Sequence, residues 1–543
     1  MKLDVKALPL HAKNVTGTID VAKTAALATT PALQEFVQES IKWLSDPTRY
    51  ARLLQSTSTK ERREATKVRH SRLSKSDMEI MIALEKYKEE PEPLSWARVF
   101  SVPEWAKSRR RPICEPLVND YFTDGTIPTV RFLTADERRQ LIAKKVKETG
   151  RCVAKCYDFA SYYDQLGLGK EVARYFCVKS GGKTWSAQTI PMGFRPSCAV
   201  AQALTWAMVD FKCDVLILTY IDNVVFIGDE AKVQQASTIF EQRCKHVGAV
   251  LSEASEVSEE FDFLGEHFNL RDCTTELTTK TIDKLKQVEK VLETVPTMTR
   301  REVAAVFGLA IFSSGILHHS LAHEYWPMRY MREIHSLQNG WDDAAPPMSE
   351  ATREALCRWV KHLLRNKPVG IYTRNVDVDV PTIIVDASGW GWGAICVDGS
   401  STQIVSERWK QGEEEAAKHS TFAEPTAAWR AICRFKMPHW KAINVVTDHK
   451  ALFFVGNKGF GKAFVYNETV RKIREAFPEC SFHFVPGERN PADTPSRGGP
   501  RAANYEIVAS LVKEVKRERE NGKAGVPWLR PEWANTVAAP YRE

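Results

Sequence analysis

The run DVLILTYIDNVVFIGD (Asp214–Asp229) constrains the fold more than any other stretch of the chain. Two apolar, β-branched runs flank the polar pair Asp222-Asn223, a pattern that predicts an antiparallel hairpin with the pair at its tip. A second acid, Asp158, follows the strand-like run CVAKCY. One acid at a strand end and another on a neighbouring hairpin tip is a scaffold suited to holding divalent metal ions.

The rest of the chain predicts an α+β multidomain protein. Its 543 residues correspond to three or four domains at about 150 residues each. With 43% hydrophobic and 27% charged residues, it has the composition of a globular chain. Residues 1–90 read as a partly helical N-terminal extension whose first thirty residues show little periodicity and should be loosely held. Short β-like runs alternate with helical ones over 91–270. Residues 271–340 are helical, with Thr299-Arg-Arg-Glu302 fitting a capping box, and 341–380 read as a weakly periodic connection. At Thr382 the character changes. The order strand, strand, strand, helix, strand, helix, strand over 381–500 predicts a separate α/β domain, followed by a tail, 501–543, with one charged helical piece.

Several classes are excluded at this level. The longest nearly uncharged apolar stretch, Ala304–Leu317, falls short of the ~20 residues a bilayer span needs. The opening MKLDVKALPLHAK lacks the apolar centre of a secretory signal. Twelve cysteines form no CxxC pair, which argues against a disulfide framework and for a reducing, intracellular compartment, with cytoplasm and nucleus both open. The net charge of +8 is mild, but Lys60–Arg72, Lys107–Arg111 and Arg138–Lys147 concentrate positive charge in the first third. Such clusters suit a polyphosphate partner, and they equally suit solvated helix faces.

Phosphoryl transfer needs charge neutralised on the attacking, transferred and leaving oxygens. Two divalent ions about 3.5–4 Å apart, held by carboxylates, supply it. Five segments in order, over roughly 105–320, carry a resemblance beyond that chemistry. YDFASYYDQL is similar to the reverse-transcriptase palm motif, an Asp followed five residues on by an aromatic, here Asp158 and Tyr163. QTIPMGFRPSCAVAQ resembles the proline–x–glycine–aromatic motif and its helix with Gln202. TYIDNVVFIGD resembles the tyrosine–x–Asp–Asp hairpin, and FDFLGEHF the primer-gripping hairpin, with Phe263, Leu264 and Gly265. MTRREVAAVFGLAIFSSGIL is similar to the thumb helix of retroelement polymerases.

The resemblance implies a right-hand polymerase of fingers and palm (91–270) and thumb (271–340). In it Asp158 and Asp222 hold the ions, Tyr163 is the steric gate against a 2′-hydroxyl, and Gln202 is nucleotide-binding. Arg111 contacts the incoming triphosphate or the template. The chain departs from the family at Asn223, where the motif has its second acid. An amide still offers a carbonyl oxygen but no charge, so metal binding is weakened or its preference altered.

A second constellation lies in the C-terminal α/β region. Asp386 sits inside the first strand, in IIVDASGWGWGAI. Glu424 opens the helix FAEPTAAWRAI, Asp448 ends the strand NVVTD, and Asp493 lies in GERNPADTPSR. Such acids can converge at one sheet edge as an oxygen-only two-metal site. This set is similar to ribonuclease H, whose four acids fall on these same elements. No histidine lies between Val485 and Asp493 to assist product release. His449, Glu488 and Asn490 are weak substitutes.

Taken together, the resemblance is to a retrotransposon reverse transcriptase–ribonuclease H, most like the tyrosine-recombinase (DIRS-like, VIPER-like) elements. It implies an RNA-directed DNA polymerase with hybrid-cleaving ribonuclease H activity, and two Mg²⁺ per active site with Mn²⁺ as the alternative ion. The implied partners are an RNA template, a DNA primer, an RNA–DNA hybrid and dNTPs, with no membrane. Two alternatives stay open: a degenerate polymerase carrying only a working ribonuclease H, and a domesticated nucleic-acid-binding subunit. Oligomeric state is not legible.

Overall fold

The computed structural model describes residues 8–55, 71–104, 108–123, 125–295, 297–337, 340–371, 380–500 and 504–520. Most of the basic run Lys60–Arg72 and the Trp/Pro-rich end of the tail lie outside the described residues. The chain divides into two compact units, one formed by residues up to 275 with 370–371, the other by 276–369 and 380–520. Both mix helices and strands.

In the first unit the hairpin is present: Leu216–Tyr220 pairs with Asn223–Gly228, Tyr220 opposite Asn223. Asn223 is therefore the first residue of the second strand, and the turn itself is Ile221-Asp222. Val153–Phe159 pairs along the other side and sets Asp158 across from Asn223. Leu251–Ala254 completes a four-stranded antiparallel sheet. The helix Ser197–Val209 carries no charged side chain and is buried almost throughout, as expected of a helix apolar all round. Against it lies the helix Pro31–Ser45, with the Phe36 and Trp206 rings 5.6 Å apart.

Residues 8–30, expected to be loose, are packed. Ile19, Ala25 and Ala28 are buried, and Gly17 and Ile19 donate their N–H groups to the Asp164 and Gln165 carbonyls. Gly248, at φ +77°, ends the helix Glu230–Val247. Its bare Cα admits the Thr18 carbonyl oxygen to a place 2.2 Å from where a Cβ would stand. The order of this segment comes from distant backbone partners, which local periodicity does not encode.

The second unit begins with the helices Thr279–Thr294, Arg300–Ile316, Tyr325–His335 and Glu350–Leu364, packed around Leu285, Phe307, Leu356 and Trp359. The capping box at Thr299 and Glu302 forms as its sequence predicts. The expected weakly periodic connection contains the last of these helices, which buries Leu356, Trp359, Val360 and Leu363 at i, i+3, i+4 and i+7. The turn-rich DDAAPPMS ahead of it had dominated the local pattern.

Beyond them stands a five-stranded sheet in the order Ser401–Arg408, Gly391–Asp398, Thr382–Ala387, Asn444–Thr447, Ser481–Phe484. The first three strands pair antiparallel and the last two run parallel to the central one. The central strand is buried on both faces. Ile383 and Val385 enter a core with Ala427, Ala431 and Ile432 of the helix Ser420–Phe435. Ile384 enters another with Val508, Leu511 and Val515. Those three belong to the helix Tyr505–Glu520, so part of the predicted tail is the second layer of this sheet. Arg519 fixes it by donating to Asn444 Oδ1 at 3.0 Å.

Candidate functional site

Two carboxylate centres form, one in each unit. In the first, the turn that carries Asp222 is held from behind. Gln202 accepts from the Ile221 N–H at 2.6 Å and donates to Thr219 Oγ1 at 3.1 Å, while Thr205 donates to the Ile221 carbonyl at 2.6 Å. These bonds hold Ile221 at φ +54°, a left-handed conformation costly for a β-branched residue. Gln202, expected at the nucleotide, is fully buried and committed to this turn.

Asp222 and Asp158 share a cavity of about 300 Å³. Burial, and then the Asp158 charge, raise the Asp222 carboxyl above its ordinary value. Asn223 donates its amide to Asp222 Oδ1 at 3.0 Å. Tyr163 lines the same cavity, its hydroxyl 3.4 Å from Cys198 Sγ, and burial pushes its phenol well up. Arg111 is on the wall, paired with Glu104 at 2.6 Å. Gly193, in the PMG turn, lets the strand Arg109–Pro116 approach, since a Cβ there would lie 2.5 Å from the Cys114 carbonyl oxygen.

Sequence reading missed part of this wall. His11 and Lys13, from the segment thought loose, line the cavity with Lys86 and Arg109. The segment is anchored to the strand by the His11 N–H on the Arg110 carbonyl and the Arg110 N–H on that of Pro9. Arg109 Nη1 is 3.0 Å from His11 Nδ1, and burial, then Arg109 and Arg111, lower the His11 pKa to about 4. Lys86 is buried and paired with Asp164. Arg109 belongs to the basic run Lys107–Arg111, but His11, Lys13 and Lys86 stand outside any cluster and carry no such signal.

Phe263, Leu264 and Gly265 lie elsewhere. Glu260–Phe263 and Glu266–Asn269 form a hairpin whose turn residues Leu264 and Gly265 both have positive φ, 52° and 85°. Phe263 is buried in a core with Phe261 and Phe268.

In the second unit, Asp386, Glu424 and Asp448 bring their carboxylate oxygens within 4.8 Å of one another. Burial, then its two neighbours' charges, push Glu424 up to about 9. Burial is also the chief cause that raises Asp386 to about 6 and lifts Asp448. Glu424 Oε2 is buried with no hydrogen-bond partner. Three crowded carboxylates and an orphaned oxygen fit a hard divalent cation, which takes oxygen ligands. Asp493 is not in this trio: it starts a short helix and accepts from Arg497 Nε at 2.9 Å.

Ser496, on the same short helix, donates to Asp386 Oδ2 at 2.5 Å. The approach depends on Gly393, directly across the sheet from Asp386, where a Cβ would lie 2.4 Å from Ser496 N. His449 is a capping residue: its Nδ1 accepts from Leu452 N at 3.4 Å and lies 3.1 Å from the Tyr466 hydroxyl. Asn490 is buried, donates to the Val385 carbonyl at 3.2 Å, and hydrogen-bonds Asp448.

No protein-family model matches this sequence, and no curated protein matches it. Among solved structures it is similar to the foamy viral protease-reverse transcriptase. The form in complex with RNA/DNA hybrid is 12% identical at a TM-score of 0.44, over 81% of this chain and 57% of that one. The form with dsDNA is 13% identical at 0.42, over 78% and 85%. The dRH form with ds DNA is 14% identical at 0.42, over 78% and 71%. This chain thus spans little more than half the length of the hybrid-bound protein. At these identities the likeness assigns no residue a role. Among the described residues, no helix is long and apolar enough to cross a membrane.

Proposed function

We propose that the chain is a retrotransposon reverse transcriptase, an RNA-directed DNA polymerase with its carboxylate centre in the first unit and a ribonuclease H with its centre in the second, most like the DIRS-like and VIPER-like elements. The observation that carries this reading is the presence of two separate carboxylate centres in one chain, each at an edge of its own sheet and the second completed by Glu424 of the helix Ser420–Phe435, in the order of the motifs. On this reading 91–270 are fingers and palm, 271–340 thumb, 341–380 connection and 381–500 the ribonuclease H domain.

Asp158 and Asp222 would hold Mg²⁺, or Mn²⁺, at the polymerase centre, and Asp386, Glu424 and Asp448 at the nuclease. Bound there, such ions supply charge neutralisation for the attacking and leaving oxygens. The chain's own residues do the rest. Arg111, Arg109, Lys86, Lys13 and His11 form a wall of donors for the triphosphate of a dNTP, and Tyr163 meets the sugar edge. Gln202 and Thr205 keep the Asp222 turn in place. Ser496 orients Asp386. Template, primer and hybrid would be gripped largely through backbone and 2′-hydroxyl contacts, so binding should fall steeply with salt.

One observation favours a second reading, in which the polymerase is silent and only hybrid cleavage remains: the neutral Asn223 amide occupies Asp222 Oδ1. Primer extension on an RNA template, in Mg²⁺ and in Mn²⁺, separates the two. Extension by the wild type that vanishes in Asp158→Ala supports the first reading. No extension by the wild type, with rescue by Asn223→Asp, supports the second.

A further inference from the structure

A second cluster of ligating side chains lies in the second unit, apart from the acid trio. Following the helix Arg300–Ile316, the chain turns through His318, at φ +53°, into the short helical turn Leu321–Glu324. His319 just ahead of this turn, His323 and Glu324 within it, and His362 of the helix Glu350–Leu364 line an open depression of about 520 Å³. The His319 and His362 rings are 4.7 Å apart between centroids, and those of His319 and His323 are 5.6 Å apart.

Metal–nitrogen bonds of about 2.0–2.1 Å, with about 1.1 Å more to each ring centre, put two imidazoles of one tetrahedral ion about 5 Å apart. The two observed separations bracket that value. Glu324 is buried, and its Oε1 lies 2.7 Å from His319 Nε2. A carboxylate on one ring nitrogen fixes the tautomer, placing the proton on Nε2 and leaving the Nδ1 lone pair for a metal. Among the described residues only the acid trio already brings three ligand atoms within 4.8 Å. His323 and His362 are exposed, which leaves their rings room to turn toward His319.

We propose that His319, His323 and His362 bind one transition-metal ion of the Zn²⁺ class, with Glu324 as the residue that orients His319. Imidazole nitrogens select such ions over Mg²⁺. Three protein ligands leave the fourth position to water. The proposal does not depend on the polymerase or nuclease reading.

The test is Co²⁺ titration of the whole protein in excess Mg²⁺, following the visible absorption of tetrahedral cobalt and its displacement by Zn²⁺. One equivalent should bind to the wild type and to Asp386→Asn. His323→Ala and His362→Ala, both at exposed positions, should lose the band, and Glu324→Gln should weaken binding by about 10–100-fold. No tetrahedral band in the wild type would overturn the proposal. So would a band that persists in either histidine variant, as one from the exposed Cys198, Cys213 or Cys433 would, or a band lost in Asp386→Asn.

Discussion

Asp386→Asn is expected to stabilise the protein when divalent ions are absent. In the folded chain, burial raises the Asp386 carboxyl from 3.8 to about 6, with the charges of Asp448 and Asp493 adding to it and the Ser496 hydrogen bond opposing it. One pH unit of pKa corresponds to about 1.4 kcal/mol, so the ionised form costs the fold about 3 kcal/mol at pH 8. The folded chain holds this proton more tightly than the unfolded one. The stability it contributes is therefore present below about pH 4 and lost as pH rises through about 6. Glu424, raised to about 9, extends the loss to alkaline pH. Asparagine removes the charge yet keeps an oxygen to accept from Ser496. For a unit of this size, about 3 kcal/mol corresponds to about 6–12 °C in Tm. Thermal unfolding in EDTA at pH 8 reads it directly. Added Mg²⁺ should then reverse the order, because an ion bound only by the folded wild type stabilises it by mass action. A variant no more stable than wild type in EDTA would refute the electrostatic account of this centre.

Asn223→Asp should lower the Mg²⁺ concentration that half-saturates primer extension by about tenfold, since ligand charge sets affinity for hard cations; an unchanged Mg²⁺ dependence would place residue 223 out of the ion's reach. Gly393→Ala should sharply reduce hybrid cleavage with extension unaffected, because the new Cβ drives off the segment that carries Ser496; equal loss of both activities would point to general unfolding. Trp359→Ala should cost about 3–5 kcal/mol in denaturant unfolding, since the buried indole also donates to Ser314 Oγ at 2.9 Å. A loss below about 1 kcal/mol would mean that the helix Glu350–Leu364 is not part of the core.

Where the sequence was legible, the signal was local. The Asp222 hairpin, the capping box at Thr299 and the strand–helix order around Asp386 each rest on residues that neighbour one another along the chain. The features it concealed are set by distant partners. His11 and Lys13 reach the first cavity because the backbone of Pro9 and His11 pairs with Arg110, and nothing in LPLHAK announces that. Tyr505–Glu520 reads as a charged helix, and only its packing over Ile384 in the folded sheet explains why Val508, Leu511 and Val515 are apolar. Gln202 lies on the expected helix, yet its burial turns a residue expected to touch nucleotide into one that holds Ile221. Asp493 lies outside the close trio and pairs with Arg497, while its charge still acts on Asp386 and Asp448.

The central claim is that one chain carries two independent metal-dependent activities on nucleic acid. The most direct test uses an RNA template, labelled in its own strand, annealed to a labelled DNA primer, with extension and RNA cleavage scored in the same tube. The account predicts that Asp158→Ala loses extension and keeps cleavage, and that Asp386→Asn loses cleavage and keeps extension. Both activities lost in both variants, or neither reaction in the wild type with Mg²⁺ or Mn²⁺, would contradict it.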